Sequence, residues 1–314
     1  MRQAGTNVSV IIVNYRTAEL TELAAASALA AGAGEVVIVD NASADGSGER
    51  LGRMTDPRVR LKVSRTNDGF GTAANAGAAL ATGDVLLFLN SDAGLRPGAL
   101  EALVDEVAGA GGRCIAGPRL VGSDGVVQRS AGLVPRPDDL ILRGLELQRP
   151  ARWASRLRGV GSLVGGTRIA GEYDLAVRAD RPINVSMVSG ACMAVGREAF
   201  LTLGGFDERY FMYFEDADLC RRVSRARMPI RYVPGAVVDH VGGASSPGDY
   251  RFGPWHAASM IRYLGAWHGR TGVMAGLGIL WVRAVTNVLL VRPGRGRSVA
   301  ALRAGVRVAR SATR

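Results

Sequence analysis

The sequence predicts an α/β fold: a mostly parallel sheet flanked by helices, with a helical extension at the C-terminal end. Three observations predict it. Over the first 117 residues, short continuous apolar runs alternate with helical stretches, the pattern of a parallel sheet with crossover helices. The early runs lead into polar residues, where such a sheet has its ligand-binding carboxyl edge. From Arg251 to Arg314 there are 11 arginines and no aspartate or glutamate, so the last fifth of the chain is built differently from the rest.

Val8–Val13 (VSVIIV) is continuously apolar and reads as a buried strand. Thr17–Ala31 is alanine-rich and helical, and Gly32 stops it. Glu35–Asp40 and Val59–Ser64 supply the second and third strands. Phe70–Ala81 reads as a helix and Asp84–Leu89 (DVLLFL) as the fourth strand. Pro97 suits the first turn of a helix that ends near Ala110. Leu133–Pro182 is rich in Arg, Pro and Gly, has no sustained period, and reads as an insertion. A strand pattern resumes over Asn184–Val195, Glu215–Arg227 is a short amphipathic helix, and Ile230–Val233 and Ala236–His240 read as two short closing strands. The expected organisation is a domain of residues 1–245 and an extension of residues 246–314. Residues 1–117 are the first half of that domain, and residues 118–245, with the insertion 133–182, are the second.

The chain has 314 residues, the length of about two domains. With 47% hydrophobic and 21% charged residues and no low-complexity tract, it is neither disordered nor collagen-like. Cys114, Cys192 and Cys220 are far apart and none lies in a CxxC pair. That excludes a disulfide framework, argues against a thiolate zinc site, and fits a reducing compartment. The net charge of +11 sits wholly in the tail, since the first 250 residues hold 28 basic and 28 acidic residues. A basic tail of this kind favours an anionic surface, either lipid headgroups or nucleic acid. Within it, Arg283 and Asn287 lie one helical turn apart, opposite a stripe of Val273, Met274, Leu277, Leu280, Trp281, Val285, Val288 and Leu289. Such a helix is expected to lie in a membrane interface rather than span it. Met1–Asn7 is polar and the following apolar run has six residues, which does not read as a secretory signal.

The polar residues that follow the strands are the candidate site. They are Asn14-Tyr15, Asp40-Asn41 with Ser43, Asn67-Asp68-Gly69 and Asn90-Ser91-Asp92. One such residue is usually a cap or turn former. Four strand ends in succession point to a ligand along the sheet edge. Gly69, Gly71 and Ala74 match GxGxxA, but after the third strand rather than the first, which leaves a nicotinamide dehydrogenase as a minor alternative. Five acids then fall between Asp207 and Asp218. Asp216 shares helical spacing with Leu219, Cys220 and Val223, which places it on the inward stripe. Glu215 and Asp218 suit the helix dipole on the surface, with Asp218 four residues before Arg222. An inward carboxylate costs desolvation unless it has a partner or a task, and a partly desolvated one is a suitable general base. His240 ends a strand before Gly242-Gly243. Together with Asp92 and phosphate oxygens, its imidazole would suit Mn²⁺ or Mg²⁺.

These segments resemble the family 2 glycosyltransferases of GT-A (Rossmann-like) fold, most of all their bacterial rhamnosyltransferase-type members. The matching stretches are Val10–Tyr15, Val39–Ser43, Asn67–Gly71 with Asn75, Leu89–Asp92, Ser189–Met193, Gly205–Glu208 and Glu215–Arg222, in the family's order across residues 8–243. The resemblance implies an inverting transfer of a sugar, L-rhamnose from dTDP-rhamnose at family level, from a nucleotide-diphosphate donor to a lipid-linked or polysaccharide acceptor. It implies that Asp40 binds the pyrimidine, near Asn14, Tyr15 and Ser43, and that Asn67 and Gly69 line the nucleotide pocket. Asn90, Ser91 and Asp92 correspond to the DxD motif, with Asp92 as its last acid and Asn90 in place of the first. His240 would be the later metal ligand and Asp216 the catalytic base, with Gly190, Asp207 and Glu215 on the acceptor side. The implied cofactor is Mn²⁺ or Mg²⁺, and the implied place is the cytoplasmic face of the cell membrane, held there by residues 251–314. The competing expectations are a catalytically silent sugar-nucleotide-binding scaffold and a nucleic-acid-binding protein. The first is opposed by the full set of Asp40, Asp92 and Asp216, the second by the lack of any recognition module in the tail.

Overall fold

The computed structural model describes residues 6–138, 140, 178–242, 253–289 and 295–312. Most of the expected insertion 133–182 lies outside the described residues, as do 251–252, 290–294 and 313–314 of the basic tail. The described residues within 1–132, 175–209 and 215–247 form one compact unit, and those within 133–174, 210–214 and 248–314 form a second.

In the first unit, nine strands among the described residues make one mixed sheet. β1 (Val8–Asn14), β2 (Glu35–Asp40), β3 (Val59–Val63) and β4 (Val85–Asn90) run parallel in the order β3–β2–β1–β4. Beyond β4 the directions mix. β10 (Cys192–Gly196) is antiparallel to both β4 and β6 (Ile115–Val121). β11 (Ile230–His240) runs parallel to β6 and antiparallel to β5 (Ala93–Leu95) and β8 (Ile183–Asn184). A separate pair joins β7 (Ala131–Gly132) and β9 (Met187–Val188).

The central strands are covered on both faces, which explains why β1, β2 and β4 read as nearly continuous apolar runs. Val10, Ile12, Val36, Ile38, Leu87 and Leu89 share one core with α1 (Ala18–Ala30) and α4 (Ala99–Gly109). α3 (Phe70–Leu80) covers the other face. It approaches closely because Gly77 has no side chain: a Cβ there would sit 2.6 Å from Ile11 Cγ2 and 3.2 Å from Val39 Cγ2. Phe88, Phe200 and Phe206 fill the same face further along, with ring centroids 4.8 to 5.4 Å apart.

Four points differ from the sequence expectation. The two closing strands are one strand of 11 residues, whose register with β6 shifts between Val233 and Val237. Pro234 and Gly235 lie at that irregularity, which the sequence pattern reads as a break. β6 was hidden by its own Gly117 and Pro118, and β5 is too short to show a period. The expected strand Asn184–Val195 is divided into β8, β9 and β10.

The second unit holds α7 (Pro254–Leu289) and α8 (Arg295–Ala312). α7 is broken at Gly269, whose φ of 60° and ψ of −153° are not helical. The chain folds back there: a Cβ on Gly276 would meet Ile261 and Leu264 at under 3 Å. α8 packs through Gly305, where a Cβ would lie 2.6 Å from Leu280 Cδ1, and Asn287 Nδ2 donates to Ser298 Oγ at 2.7 Å.

Candidate active site

The carboxyl edge of the parallel strands is braced by its own side chains. Register places Asn14 beside Asp40 on β1 and β2. Asn14 Nδ2 donates to Asp40 Oδ1 at 2.6 Å and reaches Ser43 Oγ at 3.3 Å. Asn14 Oδ1 accepts from the Thr17 N–H and from the hydroxyls of Thr17 and Thr21. Asn14 is fully buried, so this residue, expected in the nucleotide pocket, spends its amide on the frame. Asp40 is equally buried, and its Oδ2 accepts from the Ser43 N–H at 3.2 Å. Ser43 Oγ in turn accepts from the Arg16 N–H at 2.9 Å. The loop after β3 is tied to the same frame, since Asn41 Nδ2 donates to Asn67 Oδ1 and to the Gly69 carbonyl. Gly69 has a φ of 95°, where a side chain would be strained, and it opens α3. Tyr15 stays half-buried under the Arg16 guanidinium, 5.1 Å above its ring.

Asp92 and His240 come together through strand pairing. β5 follows Asp92 directly, and its Ala93 pairs with His240 at the end of β11. Asp92 Oδ2 accepts from the Gly242 N–H at 3.0 Å, and Asp92 Oδ1 lies 3.5 Å from His240 Nε2. Both side chains are largely buried. Asn90 Nδ2 stands 3.5 Å from the same nitrogen, long for a hydrogen bond. Ser91 faces the other way and accepts from the Thr17 hydroxyl. Among the described residues no cluster of three or more His, Cys, Asp and Glu side chains is suited to a metal. The protein therefore offers two metal donors here, one carboxylate oxygen and one imidazole nitrogen. That set suits a hard-to-borderline cation whose other positions are filled by ligand oxygens and water.

The acidic run lies beside this edge through one dipeptide. The Asn90 N–H donates to the Ala191 carbonyl at 2.9 Å, and the Gly190 N–H donates to Asp216 Oδ2 at 3.0 Å. Asp216 Oδ1 accepts from the Ala217 N–H at 2.8 Å. A Cβ on Gly190 would come within 3.3 Å of Asp216 Cβ, so the missing side chain keeps this approach open. The residues before α6 (Glu215–Arg225), Tyr213 and Phe214, both hold a φ of 69°, a costly conformation for aromatic residues and one that tends to mark functional sites. Asp216 is half-buried as a residue, yet its carboxylate is enclosed enough that burial raises its pKa against the two N–H donors.

Burial reverses one expectation. Leu219, Cys220 and Val223 line the inward stripe, but Asp216 is the more accessible acid, while Glu215 and Asp218 are 7% and 4% exposed. Asp218 is neutralised inside by Arg222 at 2.8 Å, whose Nη1 also donates to the Leu203 carbonyl. Glu215 Oε2 is buried without a hydrogen-bond partner, and burial, with Asp216 adding to it, pushes the Glu215 pKa up to about 8. Helical spacing ranks residues by face, but it does not say which of the first-turn acids is covered. Asp207, also expected near this site, is clasped by Arg209 at 2.6 Å. Burial alone would raise its pKa, but Arg209 outweighs that and holds it below the usual range.

Sequence reasoning missed Gln128. Its Oε1 lies 2.7 Å from His240 Nδ1 and its Nε2 donates to the His240 carbonyl at 2.8 Å. No motif marks it, because the pairing joins residues 112 apart. All three cysteines are buried and unpaired to one another, and burial raises Cys114 to about 11 and Cys220 to about 12, so they are not nucleophiles.

Known proteins resemble this chain in sequence and fold. Residues 9–203 match the family described as Glycosyl transferase family 2, a match that ends before Asp216 and His240. The chain is 32% identical over 222 residues to an N-acetylglucosaminyl-diphospho-decaprenol L-rhamnosyltransferase of Mycobacterium tuberculosis, covering 65% of this chain and 66% of that one. It is 37% identical over 81 residues to Rhamnosyltransferase WbbL of Escherichia coli (strain K12), covering 26% of this chain and 31% of that one. It thus spans just under two thirds of the first relative and about a third of the second. Among solved structures, that of GalNAc-T7 with UDP, GalNAc and Mn²⁺ has a TM-score of 0.59 at 17% identity, covering 83% of this chain and 48% of that one. The shared architecture is the GT-A fold.

Proposed function

The chain belongs to glycosyl transferase family 2, and from that premise we propose that it is an inverting, metal-dependent glycosyltransferase. It moves a sugar, L-rhamnose from dTDP-rhamnose, from a nucleotide-diphosphate donor to a lipid-linked or polysaccharide acceptor in cell-envelope glycan synthesis. One observation carries this reading. The carboxylate of half-buried Asp216 is fixed by Gly190 and Ala217, one dipeptide away from the sheet edge that ends in Asn90.

Asp216 holds the proton taken from an acceptor hydroxyl. The acceptor oxygen then forms a bond to the anomeric carbon from the face opposite the diphosphate. The bond from that carbon to the leaving oxygen breaks, and the electron pair leaves with the nucleotide diphosphate. One displacement inverts the configuration, so one base is enough, unlike the two carboxylates of glycoside hydrolysis. Asp40 and Ser43, with Tyr15, Asn67 and Gly69, bind and orient the nucleotide, and Asn14 keeps Asp40 in place. Gly190, Asp207 and Glu215 shape the acceptor side. Asp92 and His240 would hold a divalent ion, Mn²⁺ or Mg²⁺. When bound, such an ion supplies charge neutralisation for the diphosphate leaving group.

The second unit supports placement on an anionic membrane. Met274, Trp281, Val288 and Leu289 are 46% to 73% exposed on the second half of α7. On α8, Ser298, Ala301, Gly305 and Ala309 face inward while Arg303, Arg307 and Arg310 are exposed. α7 is long and apolar enough to cross a membrane by length and composition. Its inner face is occupied by protein, however, and the exposed apolar and basic residues suit a helix lying on the cytoplasmic surface. The test of the whole reading offers dTDP-rhamnose and other nucleotide-sugars with a lipid-linked acceptor, and determines the anomeric configuration of the product. Inverted product supports it. Retained configuration, or donor turnover by no nucleotide-sugar, contradicts it. Flotation with anionic vesicles, lost in Trp281→Glu, is the corresponding test of the membrane surface. Equal flotation with neutral vesicles contradicts the role of charge.

A further inference from the structure

We infer that Gln128 is a positioning residue for the metal site: its amide locks the His240 ring so that Nε2 presents a lone pair toward Asp92. This rests on the proposed metal-dependent reading. The geometry is a clamp of two hydrogen bonds between one side chain and one residue. A backbone carbonyl can only accept, so the 2.8 Å contact to the His240 carbonyl must use the amide nitrogen of Gln128. That fixes the amide the other way round at the ring, where Oε1 lies 2.7 Å from Nδ1. An amide oxygen can only accept, so Nδ1 carries the hydrogen. In the neutral ring Nε2 is then an acceptor, and it lies 3.5 Å from a second acceptor, Asp92 Oδ1. Two acceptors facing each other suit a cation, and a ligating imidazole is commonly oriented by a partner on its other nitrogen.

The local fold is built to deliver this side chain. β6 ends at Val121, and a tight turn through Gly122-Ser123-Asp124-Gly125 reverses the chain. Gly125 has a φ of 76°, and the Val126 N–H is caught by Asp124 Oδ1 at 3.0 Å. Val127 then bridges back to Val121, and the Gln128 N–H donates to the Leu120 carbonyl at 2.9 Å. Gly122 leaves room for the amide, since a Cβ there would stand 3.2 Å from Gln128 Nε2.

Mn²⁺ is titrated into the full chain holding UDP or dTDP, and free Mn²⁺ is followed by electron paramagnetic resonance. Gln128→Ala is expected to weaken Mn²⁺ binding roughly 10- to 100-fold, with metal-free nucleotide binding unchanged. Gln128→Glu is expected to fall between wild type and Gln128→Ala, because a carboxylate accepts the same Nδ1 hydrogen but no longer donates to the His240 carbonyl. Two results overturn the inference while leaving the metal reading intact. In one, Gln128→Ala binds Mn²⁺ like wild type while His240→Ala does not. In the other, Gln128→Ala loses metal-free nucleotide binding to the same degree. Wild-type Mn²⁺ affinity in His240→Ala overturns both.

Discussion

The two sides of the candidate site are built on opposite plans. On the side of β1 and β2, Asn14, Asp40, Ser43, Asn41 and Asn67 bind one another, and Asn14 and Asp40 are almost wholly buried. On the side of β4, β10 and β11, Asp92 Oδ1 faces His240 Nε2 at 3.5 Å, and half-buried Asp216 stands in the first turn of α6. The first side is a frame tied by its own hydrogen bonds. In the proposed function the second meets charge and takes a proton. A residue's closeness to the sheet edge therefore does not tell its job, whereas the use of its polar atoms does.

The contrast predicts different failures on each side. Asp216→Asn is expected to lower kcat about 10²- to 10⁴-fold with donor affinity unchanged, measured by steady-state transfer and nucleotide titration. A kcat within tenfold of wild type contradicts the base role. Asp40→Ala is expected to act first on stability. It leaves the Asn14 amide and the Ser43 N–H without their acceptor, at about 1–3 kcal/mol for each buried group left unsatisfied. Thermal or urea unfolding reads this, and an unchanged midpoint would mean that the frame is not structural. The smallest effect concerns Glu215, whose folded pKa is raised to about 8 from an ordinary 4.5. The folded protein then holds a proton that the unfolded chain releases, so this group's stabilising contribution is present below about pH 4.5 and is lost as pH rises toward 8. Glu215→Gln is expected to flatten that decline in a pH series of melting temperatures. An unaltered slope would show that Glu215 is ionised in the fold.

Much of the frame was legible in the sequence. VSVIIV, EVVIVD and DVLLFL are largely apolar because helices cover both faces, and the polar residues at their ends mark the edge. The other half was not legible to the same degree, because non-local antiparallel pairing assembles it. Nothing in Ala93-Gly94-Leu95 announces a strand, yet its pairing with β11 joins Asp92 to His240. Gln128 left no periodic signal for the same reason. Spacing singles out Asp216 but puts it on the inward stripe, whereas it is less buried than Glu215 and Asp218. At a helix's first turn the covering comes from elsewhere in the chain, and period alone does not contain it.

In the proposed function the two carboxylate positions do separate work, one holding a cation and one holding a proton. Mn²⁺ affinity, measured with UDP or dTDP present in Asp216→Asn beside Asp92→Ala, tests this most directly. Wild-type affinity is expected in the first and a marked loss in the second. Loss of Mn²⁺ in Asp216→Asn, or its retention in Asp92→Ala, would contradict it.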